Sequence, residues 1–325
     1  MELRFVDRKT ELWQLGQLIN TPPNFVQFVY GPKSSGKSTL MMRLVRAFGR
    51  RRDFIFYDFR ARSPKGISDV LALPQDNIFV RFRTYLKGKL RHDPGSPGIK
   101  VPKKLYEKIR TGKIDPFLPL IPYLRKMHKP VIILDEVQAL RFSGMSDDEI
   151  ARLMNFLVTL TKRMHLAHVI VVTSDCLFID DAIKLAALEE ASEFNYLGDL
   201  GEDAVREWLQ DEGLTEEQVM KVYQYFGGRP YDLWVTLQNF AATGNLNHLE
   251  KTVMRKLSRV RMLASHHGQK TIPVLKRLAS GNLTADKVSK EMLKWLIDNE
   301  IAFFDPLDGT VYPISNAMST ALKRL

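Results

Sequence analysis

The stretch Gly31-Pro32-Lys33-Ser34-Ser35-Gly36-Lys37-Ser38-Thr39 follows an apolar run, Phe25 to Tyr30, and opens a helical pattern, Ser38 to Phe48. Strand, G-x4-G-K-S loop and helix in that order make a phosphate-binding loop. Its glycines permit a tight turn whose N–H groups curl around phosphate oxygens. Lys37 adds a point charge for the outer phosphates, and Ser38 a hydroxyl for a magnesium ion.

Further apolar runs alternate with helical patterns through the first 200 residues: Phe54 to Phe59, Val131 to Leu134, Val169 to Thr173 and a weaker Phe194 to Leu197. This alternation predicts an α/β fold, a parallel sheet with helices on both faces. After Leu197 the pattern turns helical: Asp203 to Gln210, Glu216 to Phe226 and Tyr231 to Ala242, broken at Gly213, Gly227-Gly228 and Gly244. Two more helical patterns, Ile272 to Ala279 and Lys287 to Ile297, precede a hairpin over Ala302 to Ile314 that turns at Asp308-Gly309. The expected division is 1–198 as a phosphate-loop domain, 199–265 as a helical lid and 266–325 as a winged-helix-like domain.

The run Val131 to Leu134 leads straight into Asp135-Glu136. The first carboxylate is expected to share a magnesium ion with Ser38, and the second to orient and deprotonate an attacking water. Val169 to Thr173 ends in Thr173-Ser174-Asp175, at the strand edge where ligands bind in parallel sheets. Ser174 is the candidate for contacting the water or the outer phosphate, with Thr173 the near alternative. Between Leu177 and Leu200 there is no arginine to neutralise charge on a transferred phosphoryl group, and Arg229 is the best placed within the chain.

The chain carries 48 Lys and Arg against 37 Asp and Glu, a net charge of +11 that favours polyanionic partners. Eleven basic residues fall between Arg81 and Lys113 against two acidic ones, and 13 against 7 from Asn245 onward. No apolar run approaches the roughly 20 residues that span a bilayer, and the start lacks a secretory apolar region. A cytoplasmic protein is expected. The single cysteine, Cys176, cannot form an internal disulfide and reads as a core residue.

With these motifs the chain resembles the archaeal ATPases of the STAND group, relatives of AAA+ proteins. Phe5-Val6-Asp7-Arg8-Lys9-Thr10-Glu11-Leu12 is similar to the family's N-terminal box, which implies that Arg8 lies near the adenine. Gly31 to Thr39 and Val131 to Glu136 match its Walker A and Walker B motifs, and Val171 to Ser174 resembles its sensor strand. Leu200 to Val205 followed by Tyr225-Phe226-Gly227-Gly228-Arg229-Pro230 resembles its lid, which implies that Pro230 approaches the nucleotide. Members often carry a Gly-Arg pair before the last strand; Ser192 to Leu197 has none. Between Gly281 and Ile301 there is little room for both a supporting and a recognition helix.

The resemblance implies ATP and Mg2+ as ligands, Lys37, Glu136 and Ser174 as catalytic residues, and an ATP-hydrolysing switch that is slow without a partner. The alternative is an initiator-like DNA-binding regulator in which ATP is a structural ligand. DNA or another polyanion would then lie along Arg81 to Lys113 and the C-terminal section. The oligomeric state and the client stay open.

Overall fold

The computed structural model describes residues 6–60, 117, 120–186, 188–268 and 270–325. The basic segment Arg81 to Lys113 lies outside the described residues. The chain divides into two compact units: Arg8–Tyr30 with Lys37–Tyr196, and the described residues of Met1–Asp7, Gly31–Gly36 and Leu197–Leu325.

The first unit runs α1 (Lys9–Asn20), β1 (Val26–Tyr30), α2 (Lys37–Phe48), β2 (Phe54–Asp58), β3 (Val131–Asp135), α3 (Asp147–Val158), β4 (His168–Thr173), α4 (Cys176–Ala186) and β5 (Ser192–Tyr196). The sheet has the order β2-β3-β4-β1-β5 with every pair parallel. Every residue of β1, β3 and β4 is buried, which explains their near-continuous apolar composition. Edge strand β5 is less covered: Ser192 is buried, Phe194 half-buried and Glu193, Asn195 and Tyr196 exposed, with Phe194 paired to Phe28 and Asn195 to Val29. It starts two residues before the sequence pattern suggests. Leu40, Met41, Leu44 and Val45 of α2, and Ile150, Leu153, Met154 and Leu157 of α3, supply the helical stripes of the core. Cys176 is buried and forms no disulfide, as expected.

Parallel register carries the polar strand ends to one edge. Asp58 pairs with Asp135, Asp135 with Val172, and Tyr30 with Thr173. That edge holds the candidate chemistry.

The second unit contains α5 (Glu202–Asp211), α6 (Glu216–Phe226), α7 (Pro230–Thr243), α8 (Asn247–His267), α9 (Thr271–Ala279), β6 (Leu283–Thr284), α10 (Lys290–Asp298), β7 (Ala302–Phe304), β8 (Thr310–Pro313) and α11 (Asn316–Leu322). Val205, Trp208, Leu209, Val219, Val222, Phe226, Leu233 and Leu237 form one core, to which Val6 adds a partly buried side chain. Thr215 and Gln218 close a reciprocal capping box at the start of α6. The expected hairpin is present, turning at Gly309 with φ 73. Its third strand, β6, was not anticipated, and neither were the 21-residue α8 or α11. The pattern at Lys287 to Ile297 resolves into a 3-10 turn, Ala285–Lys287, and a helix that begins at Lys290 after the Ser289 cap. Among the described residues no helix is long and apolar enough to cross a membrane.

Candidate functional site

In the sheet unit, Lys37 begins α2 with only 5% of its surface exposed, and Ser38 follows it. The Ser38 hydroxyl is hydrogen-bonded to Asp135, the last residue of β3, which is itself 3% exposed. Burial pushes the Asp135 carboxyl up to about 6; the Ser38 bond opposes this, while nearby Glu136 and Asp58 add to it. A cation beside Ser38 and Asp135 would relieve that crowding of carboxylates. Among the described residues no group of three or more His, Cys, Asp or Glu side chains encloses a metal position. One carboxylate and one hydroxyl instead fit magnesium, which takes few protein ligands and fills its octahedron with water and phosphate oxygens.

Glu136 leaves the strand in a left-handed conformation, φ 57. For a non-glycine residue this backbone costs on the order of 1 kcal/mol and persists only where neighbours enforce it. Those neighbours are visible. The Glu136 N–H donates to Asp135 Oδ1 at 3.0 Å, and Glu136 Oε2 accepts from Gln138 Nε2 at 2.7 Å and Arg60 Nη2 at 2.8 Å. Gln138 is 6% exposed, and its amide orientation is fixed by chemistry: a carboxylate only accepts, so the nitrogen must face Glu136. The same nitrogen reaches Ser174 Oγ at 3.1 Å, while the amide oxygen accepts from Thr173 Oγ1 at 2.7 Å. Thr173 Oγ1 in turn accepts from the Asp175 N–H at 3.0 Å. Glu136 and both sensor candidates thus join one hydrogen-bonded chain.

Arg8 caps α1 with φ 81 and donates to Glu11 at 2.8 Å; it is 8% exposed.

In the second unit, the loop residues Gly31–Gly36 contain three positive φ angles: 150 at Gly31, 67 at Ser34 and 97 at Gly36. A side chain at Gly31 would place a Cβ 2.2 Å from the Leu197 carbonyl oxygen, so the first loop residue has to be glycine. Gly228 is pressed still harder: its Cβ would stand 1.8 Å from Leu200 O, while Leu200 N donates to Gly228 O at 2.8 Å. Pro230 opens α7, and its Cγ lies 4.0 Å from where a Cβ on Gly36 would sit. Arg229 does not present a free guanidinium end. Its Nη2 donates to the Lys33 carbonyl oxygen and its Nη1 to Ile314 O at 3.2 Å. These two bonds clamp the main chain of the loop to the segment between β8 and α11.

Arg60, Gln138 and Glu300 escaped the sequence reading. Arg60 and Gln138 lie just after strand ends, a position that identified Asp135 and Ser174 and would have identified them. Glu300 carries no local signal; it meets Lys33 across 267 positions.

The family described as an ATPase domain predominantly from Archaea matches residues 5–235. An uncharacterized ATP-binding protein of Pyrococcus abyssi is 30% identical over 336 residues, covering 99% of this chain and 98% of the relative. Another, from Methanocaldococcus jannaschii, is 28% identical over 352 residues, covering 99% and 95%. Among solved structures, a Walker-type ATPase of Pyrococcus abyssi superposes with a TM-score of 0.68 at 17% identity, over 98% of this chain and 96% of that one, a likeness of fold. The matching segment holds the phosphate loop, the Asp135-Glu136 strand end and the Gly228-Arg229-Pro230 turn, and the chain belongs to the archaeal family of ATPase domains.

Proposed function

We propose that the protein binds ATP with Mg2+ at Gly31 to Thr39 and hydrolyses it as a slow, partner-dependent cytoplasmic switch of the STAND type. The hydrogen bond from Ser38 to the buried Asp135, beside an adjacent Glu136, carries this reading. The relatives named as ATP-binding proteins support the choice of nucleotide. Ser38 and Asp135 would hold the magnesium ion, which when bound neutralises phosphate charge. Lys37 and the loop amides would hold the phosphates, Glu136 would accept a proton from water, and Ser174 would contact the outer phosphate. Arg8 and Pro230 would border the base. Arg60 and Gln138 both donate to Glu136 Oε2, so a water would be taken up by the other carboxylate oxygen, Oε1.

The order helix, strand, 3-10 turn, helix and hairpin over 271–313 supports reading 266–325 as a winged helix whose supporting helix is reduced to a single turn, with 199–265 as the lid and 1–198 as the ATPase domain. A polyanion partner, DNA in the alternative reading, is favoured by α8, where exposed Lys251, Arg255, Arg259 and Arg261 face one acidic residue, Glu250.

Calorimetric titration with ATP, with and without Mg2+, tests the first reading alongside single-turnover assays. Lys37→Ala should abolish binding, while Glu136→Gln should keep it and lose about a hundredfold in turnover. Unchanged turnover in Glu136→Gln removes the water-activating role, and equal binding with and without Mg2+ removes the metal.

A further inference from the structure

Lys33 is held at both ends by the C-terminal half of the chain. Its carbonyl oxygen accepts from Arg229, which also binds the Ile314 carbonyl. Its ammonium group meets Glu300 Oε1 at 2.5 Å, in the turn between α10 and β7. These two contacts differ in kind. Arg229 is 9% exposed, so its clamp on the loop main chain is sheltered and directional. The Lys33 and Glu300 side chains are 44% and 48% exposed, which makes their pairing weak and exchangeable.

We propose that Lys33 is a second phosphate-contacting lysine, held in reserve by Glu300, and that it exchanges this carboxylate for the outer phosphate of a nucleoside triphosphate. The proposal rests on the reading that Gly31 to Thr39 binds nucleotide. Lys33 sits inside the loop, two residues after Gly31, and Arg229 fixes its backbone without occupying its amine. A triphosphate brings more negative charge to the loop than Glu300 offers, whereas a diphosphate lacks the outer group. Release also costs Glu300 little. Lys33 is the main group holding its carboxyl below the ordinary value, yet Arg259 and Arg229 contribute too and remain after the lysine leaves. The exchange would therefore discriminate ATP from ADP and untie the α10–β7 turn from the loop in the triphosphate state only.

Calorimetry with Mg-ATP and Mg-ADP on the full chain tests this. Lys33→Gln should weaken ATP about threefold or more, and Glu300→Gln should tighten it by a similar factor, with ADP changed by less than about twofold in both. In the double variant, Glu300→Gln should add nothing to Lys33→Gln. Equal effects on ATP and ADP, or an unaltered ATP affinity in either single variant, overturn the exchange. A wild-type protein that binds neither nucleotide instead overturns the nucleotide reading, and the exchange with it.

Discussion

His168 opens β4 with 3% of its surface exposed, its Nε2 3.0 Å from the Thr21 carbonyl oxygen. A carbonyl only accepts, so Nε2 carries the proton. Burial, reinforced by the neighbouring Arg52 guanidinium, lowers the pKa from 6.5 to about 4. In the unfolded chain the ring takes up its second proton near its ordinary value, whereas the folded chain resists protonation until about 4. A depressed folded pKa means that the unfolded state binds the proton first. The associated stability is therefore complete above pH 6.5 and is lost as the pH falls toward 4. At roughly 1.4 kcal/mol per unit of pKa shift, the loss is on the order of 3 kcal/mol. His168→Gln retains an N–H donor for Thr21 but cannot become charged. Urea unfolding of both proteins at several pH values between about 7 and 4 isolates this contribution, because the carboxylates common to both cancel in the difference. The wild type should lose about 3 kcal/mol more than the variant over that range. Parallel profiles, within about 1 kcal/mol of each other, refute the reasoning and mean that the ring is solvated or already charged when folded.

Gly228→Ala drives a Cβ to 1.8 Å from the Leu200 carbonyl oxygen. It should lower the unfolding free energy by at least about 2 kcal/mol, read by thermal or urea melting. Gln138→Glu places two carboxylates where an amide and a carboxylate now meet at 2.7 Å. Stability at pH 8 should fall by about 2 kcal/mol and return in part on acidification to about pH 5, as one of the pair takes a proton.

Elements whose burial is uniform were legible because their chemistry is repetitive. β1, β3 and β4 lie inside the sheet, so nearly every side chain is apolar and the runs announce themselves. β5 is an edge strand in which only Ser192 is buried and Phe194 half-buried, so few of its residues are constrained and its start lies two residues before the apolar pattern. The helix α8 was hidden by its charge: Leu249, Val253, Leu257, Val260 and Ala264 form a regular stripe, but basic residues crowd between them and draw attention to a partner instead. Within the candidate site, Lys37, Ser38, Asp135 and Glu136 belong to contiguous motifs and were found together. Gln138 and Arg60 act only through a carboxylate that folding brings to them, and Arg229 became a clamp only once Lys33 and Ile314 were in place. Contacts that span the chain have no local spacing to read.

The left-handed backbone of Glu136 sets the local fold against its chemistry. Glycine or asparagine adopts φ 57 more comfortably than glutamate does, and neither supplies a carboxylate. Directed evolution for heat resistance alone would drift away from glutamate at this position and deliver a sturdier, inert protein. A screen that also demands turnover should keep Glu136 and gather its improvements elsewhere.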